Sequence, residues 1–177
     1  MVHKTKLVFP SIEMANALKK YRTEFEETGD TMHGVSSLEK FTEINDWLEH
    51  LKAYESKETL PNKNFVPSFQ YVLYDTLTHE ILGAVSIRTE LNDCLRQVGG
   101  HIGYSVAPSK RRKGYGRLIL KEALKKAEGH GLKRVLVTCD EDNIPSAKVI
   151  EANEGVLESI VLDSESNKQV KQYWINL

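Results

Sequence analysis

The sequence predicts a mixed α/β fold built on a mostly antiparallel sheet with one parallel crossover. Three observations predict it. Helical periodicity fills the first third of the chain, β-rich runs follow in pairs from Ser68 onward, and a strongly amphipathic helix stands between two later strands. A strand–helix–strand unit makes a parallel pair, whereas strands joined by short polar turns make antiparallel hairpins.

Each element has a local reason. After the apolar piece Leu7-Val8-Phe9, Pro10-Ser11 marks a helix start, and Met14, Ala17, Leu18, Tyr21 and Phe25 recur at helical spacing until Gly29-Asp30 stops the pattern. Ser36-Ser37-Leu38-Glu39 has the Ser-x-x-Glu spacing of a capping box, with Phe41, Ile44, Leu48 and Leu51 on one apolar face behind it. Phe69–Tyr74 and Ile81–Ile87 are β-rich runs separated by Asp75–Glu80, the pattern of a hairpin. Residues 88–97 are polar and read as a loop; Gly100–Val106 is the next strand, closed by Pro108. In the amphipathic helix Leu120, Ala123, Leu124 and Ala127 face inward, Lys121, Glu122, Lys125 and Lys126 face outward, and Gly129-His130-Gly131 ends it as a glycine C-cap does. Arg134–Cys139 is short, apolar and β-branched, hence a buried strand. Asn143-Ile144-Pro145 opens a short helix, with proline near the first helical position, where its missing N–H costs nothing. Strands at 156–164 and 169–176 flank a Ser164–Asn167 turn.

The 177 residues suit one domain, 1–177, without linker, repeat or low-complexity segment. Forty per cent hydrophobic and 28% charged residues describe an ordinary globular protein. A net charge of -1 argues against bulk binding to nucleic acid or an anionic membrane, so any anion site must be local. Met1–Pro10 lacks the apolar stretch of a signal peptide, and no run reaches transmembrane length. Cys94 and Cys139 are far apart and lack metal-ligand spacing; they read as reduced thiols of a cytoplasmic protein without a metal.

The most informative stretch lies between a strand and a helix: Val106-Ala-Pro-Ser-Lys-Arg-Arg-Lys-Gly-Tyr-Gly116. A helix start leaves backbone N–H groups without partners and favours negative charge. Gly114 and Gly116 let the backbone turn tightly and approach a ligand, and Lys110, Arg111, Arg112, Lys113 and Arg117 add positive charge. Together these make a phosphate site. The loop is neither a P-loop nor a Gly-x-Gly-x-x-Gly dinucleotide loop, and read alone it could be a basic surface turn.

Arg111-Arg112-Lys113-Gly114-Tyr115-Gly116 resembles the Arg/Gln-x-x-Gly-x-Gly/Ala motif of the GNAT family of N-acetyltransferases. Asn143-Ile144-Pro145-Ser146, followed by Val149 and Gly155, resembles the Asn-x-x-Ala/Ser segment of the same family at the expected separation. The resemblance covers residues 66–177; the helical N-terminal third fits by position. It implies a GNAT-like mixed sheet flanked by helices, with the central strands Gly100–Val106 and Arg134–Cys139 splayed apart. It further implies acetyl-CoA as donor, its pantetheine arm paired with the backbone of Tyr104, Ser105 and Val106. The pyrophosphate would rest on the N–H groups of Arg111, Arg112, Lys113, Gly114, Tyr115, Gly116 and Arg117. Asn143 and Ser146 would hydrogen-bond the cofactor from the other wall, although a short polar residue at a helix start is also simply a cap.

The implied reaction is direct attack of an amine on the thioester. A lysine-like amine costs about 4–5 kcal/mol to deprotonate at neutral pH and an α-amine about 1 kcal/mol, so the demand for a base depends on the acceptor. Glu90 and His101 are the base candidates, and strand alternation turns His101 away from Ile102, Tyr104 and Val106. Many family members carry a tyrosine seven positions after the asparagine to protonate the sulfur. Ile150 stands there, leaving Tyr104, Tyr173 and Cys139 as candidate acids. Arg88, Glu90, Asn92 and Arg96 form a polar group suited to gripping a charged substrate, or a solvated loop. The acceptor is a small-molecule or peptidyl amine, and a homodimer is left open. Ile150 keeps a second reading alive, a coenzyme A-binding domain without turnover. A third, a basic-loop nucleic-acid binder, lacks any accompanying motif.

Overall fold

The computed structural model describes residues 4–177, so the first three residues of the 1–177 domain lie outside it. Its elements run β1 (Thr5–Val8), α1 (Ala15–Thr28), α2 (Ile44–Ala53), β2 (Ser68–Asp75), β3 (Glu80–Arg88), β4 (Ile102–Val106), α3 (Tyr115–Gly129), β5 (Arg134–Asp140), α4 (Ile144–Glu151), β6 (Val156–Asp163) and β7 (Lys168–Asn176). The strands form one seven-stranded sheet in the order β1-β2-β3-β4-β5-β7-β6. Every neighbouring pair is antiparallel except β4 and β5, which are parallel and register at one position only, Ile102 with Val137. Beyond that pair the two strands part, giving the mostly antiparallel sheet with splayed centre that the sequence implied.

Both faces of the sheet are covered. On one side α3 and α4 close over Val85, Ile87, Ile102, Val137 and Tyr173. α3 buries Ile119, Leu120, Ala123 and Ala127; Leu124, expected inside, is only partly covered and Ile119 takes its place. On the other side α1 and α2 pack Leu18, Tyr21, Phe25, Ile44 and Trp47 against Val72 and Ala84. α1 stops where the sequence placed its stop: Gly29 adopts φ 69° and its N–H returns to the carbonyls of Phe25 and Glu26.

The second helix departs from expectation. Ser36-x-x-Glu39 is not used as a capping box; Ser36 and Ser37 are left-handed (φ 46° and 63°), Leu38–Lys40 makes a single tight turn, and α2 begins only at Ile44. The reason is competition for polar groups. Ser36 Oγ donates to Gln70 Oε1 (2.8 Å), which holds the side chain toward β2 instead of the Glu39 N–H. Gln70 Nε2 in turn donates to the Gly34 carbonyl (2.8 Å), and Trp47 Nε1 to the carbonyls of Val35 (3.1 Å) and Ser36 (3.2 Å). Buried side chains thus satisfy the backbone of 34–36, which needs no helix. The polar 88–97 loop likewise runs into a wide helical turn at Leu95–Gly99, where the Gly100 N–H reaches the Leu95 carbonyl (2.6 Å).

The α1–α2 connection lies directly on β4. A Cβ added to Gly34 would stand 2.0 Å from the Gly103 carbonyl oxygen, and Gly34 itself has φ 68°. Gly34→Ala must therefore push the connection off the strand as well as strain its own backbone. We expect a loss of about 2–4 kcal/mol, read by urea unfolding; unchanged stability would show that this contact does not hold the connection in place.

Candidate functional site

β4 is paired with β3 along one edge only. The Ala107 N–H bonds the Leu82 carbonyl (3.0 Å) and the His101 carbonyl accepts from Arg88 N–H (2.7 Å). By alternation the odd positions of β4 face β3, and the backbone groups of Tyr104 and Val106 face the gap left by β5. That gap is a groove of about 620 Å³ lined by Tyr104, Ser105 and Val106, by the 110–117 loop, and by Asn143, Ser146 and Val149.

The glycine loop forms the head of the groove. Gly114 caps α3 at φ 83° and Arg112 is also left-handed at φ 60°. No side chain caps α3, and the N–H groups of Tyr115, Gly116 and Arg117 find no acceptor among the described residues. Gly116 sits where α3, α4 and β4 meet: an added Cβ would stand 3.2 Å from Val149 Cγ2 and 3.8 Å from Val106 Cγ2. Two of the five predicted cations are already paired with carboxylates of the scaffold. Lys110 pairs with Glu80 (2.6 Å), and with Lys20 it holds that carboxyl down to about 2. Arg111 pairs with Asp30 (2.6 Å) and lies over the Phe25 ring. Arg112, Lys113 and Arg117 have no carboxylate partner among the described residues; Lys113 donates to the Ser109 carbonyl (3.2 Å), and Arg112 and Arg117 line the groove.

Across the groove Asn143 Oδ1 accepts from the Ser146 N–H (3.1 Å), capping α4. Ser146 Oγ shares a hydrogen bond with the Tyr104 hydroxyl (3.0 Å). Burial pushes Tyr104 up to about 12, so its phenol keeps its proton. Neither of the other candidate acids lines the groove: Tyr173 is buried and donates to Glu151 Oε1 (3.1 Å), and Cys139, its thiol pushed up by burial, lies covered behind Ser146. Ile150 is fully buried under Gly155.

Between the α1–α2 connection and the end of β3 a second cavity of about 510 Å³ is lined by His33, Gly34, Glu39, Tyr54, Arg88 and Asn92, among others. His33 lines both spaces and marks where they meet. Its carbonyl accepts from Ser105 Oγ (2.5 Å), which also bonds the Tyr21 hydroxyl (2.9 Å). The sequence offered no motif for His33; the only signal was a histidine beside glycine in a connection between two helices. Of the polar group predicted for substrate, Arg88 and Asn92 line this cavity. Asn92 is occupied by Asn64 and Leu95 backbone, and Glu90 is exposed, paired with Lys57 (2.7 Å), and lines neither space. Among the described residues no cluster of three His, Cys, Asp or Glu side chains could hold a metal, and no helix is long and apolar enough to cross a membrane.

Residues 33–155 match the model of the Acetyltransferase (GNAT) family. Comparison with curated protein sequences gives no match. Among solved structures, the ribosomal-protein-S5-alanine acetyltransferase of Vibrio fischeri superposes with TM-score 0.69 at 19% identity, covering 97% of this chain and 91% of its own. The ribosomal L7/L12 alpha-N-protein acetyltransferase RimL, in complex with coenzyme A, gives 0.70 at 15%, covering 100% and 96%. The microcin C7 self-immunity acetyltransferase MccE, in complex with acetyl-CoA and AMP, gives 0.66 at 14%, covering 100% and 94%. At these identities the likeness is one of fold.

His101 joins the two splayed strands at their root. Its N–H donates to the Leu136 carbonyl (2.8 Å) and its Nδ1 accepts the Leu136 N–H (2.9 Å), so the imidazole is neutral and its basic nitrogen is engaged. Burial first, then the charges of Arg88, Arg96 and Arg134, depress it to about 4. An unfolded histidine titrates near 6.5. The unfolded chain therefore binds the extra proton first, and stability falls as pH drops from about 6.5 to about 4. His101→Leu should cost about 1–3 kcal/mol at neutral pH by orphaning the Leu136 N–H, and should flatten that pH dependence. Denaturant titrations across the range read both effects.

Proposed function

The chain belongs to the GNAT family of acetyltransferases, and from that premise we propose that it is an N-acetyltransferase carrying acetyl from acetyl-CoA to a primary amine of a small molecule or peptide. The observation that carries this reading is the meeting of the groove and the second cavity at His33, against a strand edge with open backbone groups. The residues present suit the donor. Free N–H groups at the start of α3, left-handed Gly114 and the cations Arg112, Lys113 and Arg117 suit a diphosphate. The open edge at Tyr104 and Val106 suits an arm that pairs like an added strand. Acetyl-CoA supplies the activated thioester; what remains is for the chain to orient an amine, remove its proton and stabilise negative charge.

His33, exposed at the junction, is the group placed to take a proton from an incoming ammonium. Glu90 and His101 are engaged elsewhere, by Lys57 and by Leu136. Tyr104, oriented by Ser146, presents a hydroxyl at the groove. With Tyr104 held near 12, full transfer of its proton to a thiolate of ordinary pKa near 8.5 would be uphill by about 5 kcal/mol. Tyr104 therefore works as a hydrogen-bond donor to developing negative charge, which needs no net transfer. Asn143 orients Ser146, and Ser146 orients Tyr104. The cytoplasm suits its two unpaired cysteines, Cys94 and Cys139.

The test is thiol release from acetyl-CoA by purified protein across a broad amine panel. Binding of acetyl-CoA without release to any amine would favour the non-catalytic reading instead. Gly116→Val should crowd Val149 and Val106 and lower coenzyme A affinity at least about tenfold, a loss of about 1.4 kcal/mol, with the fold kept by circular dichroism. Tyr104→Phe should lower kcat about a hundredfold while acetyl-CoA affinity moves little. An unchanged kcat would remove Tyr104 from the mechanism.

A further inference from the structure

Arg88 closes β3 and lines the second cavity. Its Nη1 donates to the carbonyls of Gly99 (3.3 Å) and Gly100 (3.2 Å), which fixes the plane of the guanidinium. Its Nε and Nη2 have no acceptor among the described residues, are not sealed off, and no carboxylate stands within ion-pair distance. A largely buried cation without a counterion is costly. Kept open to a cavity, with one edge of its fork free, it is built to receive an oxyanion in bidentate fashion.

We propose that the second cavity is the acceptor site and that its preferred acceptor is a small amino acid-like molecule carrying its own carboxylate, held by Arg88 with the amine toward His33. This rests on the transferase reading of the adjoining groove. Glycine lies beside both residues: a Cβ added to Gly103 would stand 3.6 Å from Gly34 Cα and 3.8 Å from Arg88 Nη1, so no side chain intrudes there. The path from the Arg88 fork to the junction therefore runs over bare backbone. Glu39 is the one carboxylate on the lining, and it is exposed rather than paired with Arg88. A volume of about 510 Å³ suits a small molecule. In an amino acid the amine and carboxylate lie one residue apart; in a peptide the terminal carboxylate is removed to the far end of the chain. Burial also holds the Arg88 guanidinium below its ordinary range, a shift that a bound carboxylate would oppose.

Matched amines test the proposal: leucine against leucinamide, tyrosine against tyramine, lysine against cadaverine, with kcat/KM corrected to the neutral-amine fraction. The carboxylate member should lead by about tenfold to a hundredfold, the range of a charged hydrogen-bond pair. Arg88→Gln should bring the ratio close to one, and Arg88→Lys should keep part of it. Acetyl-CoA affinity serves as the fold control, because Arg88 also ties the Gly99 and Gly100 carbonyls. Equal or better turnover of the neutral members, better turnover of C-terminally amidated peptides, or a ratio untouched by Arg88→Gln would overturn it. Calorimetric titration of N-acetylleucine needs no turnover and separates the two readings. Binding to the wild type that is lost in Arg88→Gln supports the carboxylate site even if no amine is acetylated; absent or undiminished binding overturns it.

Discussion

Everything in this site follows from one incomplete strand pair. β4 and β5 register at Ile102 and Val137 and then part. A sheet that leaves an internal edge open exposes N–H and C=O groups that must find partners. Here the open edge is placed between two helix starts, α3 after the glycine loop and α4 after Asn143. The start of α3 carries unpaired donors and partial positive charge, whereas that of α4 is capped by Asn143, so the open hydrogen-bonding capacity of the gap comes from the strand edge and from α3. The clamp at His101 limits how far the parting reaches, because ring and backbone both hold Leu136 at the root.

The strand that opens on one edge also directs its side chains to two different partners. Tyr104 turns its side chain toward α4 and the groove; Ser105, one residue on, turns toward α1 and the carbonyl of His33. A single strand thus fixes the proton-bearing hydroxyl on one side and the junction residue on the other, by period-two alternation alone. The α1–α2 connection can lie so close because glycine meets glycine at Gly34 and Gly103. Its own irregular backbone is held by Gln70, Trp47 and Ser105, three side chains from three different elements.

What was legible in the sequence was what repeats or obeys a local rule. The strand runs, the α3 stripe, the Gly29 stop, the glycine loop and the Asn143 cap were all written in neighbouring residues. The capping box at Ser36 misled because a side chain from β2, distant in sequence, outbid the local bond. The cationic loop was read as five charges toward one anion, whereas Asp30 and Glu80, 81 and 30 residues away in the chain, engage two of them. His33 had no pattern around it; its importance comes only from the two cavities that meet there. Motif reading found residues that line the groove, where backbone geometry dictates residue type. For the second cavity it gave Arg88 and Asn92 but not His33, because that space is assembled from single residues of separate elements.

That division has a physical cause. A diphosphate and a pantetheine arm make the same demands in any chain that binds them: unpaired N–H groups, a glycine that turns left-handed, an open strand edge. Such demands constrain short stretches and so leave motifs. An acceptor amine makes no such common demand, and the fold neighbours, which include acetyltransferases of ribosomal proteins and of a self-immunity system, show one scaffold serving different acceptors. Acceptor choice must then rest with side chains that the scaffold merely permits. In this chain the strongest such side chain is Arg88: its orientation is fixed by two carbonyls, its charge has no partner among the described residues, and half of its fork faces the cavity. A lysine there could supply the charge but not the fixed plane, and it is the plane that lets two oxygens of a carboxylate be held at once.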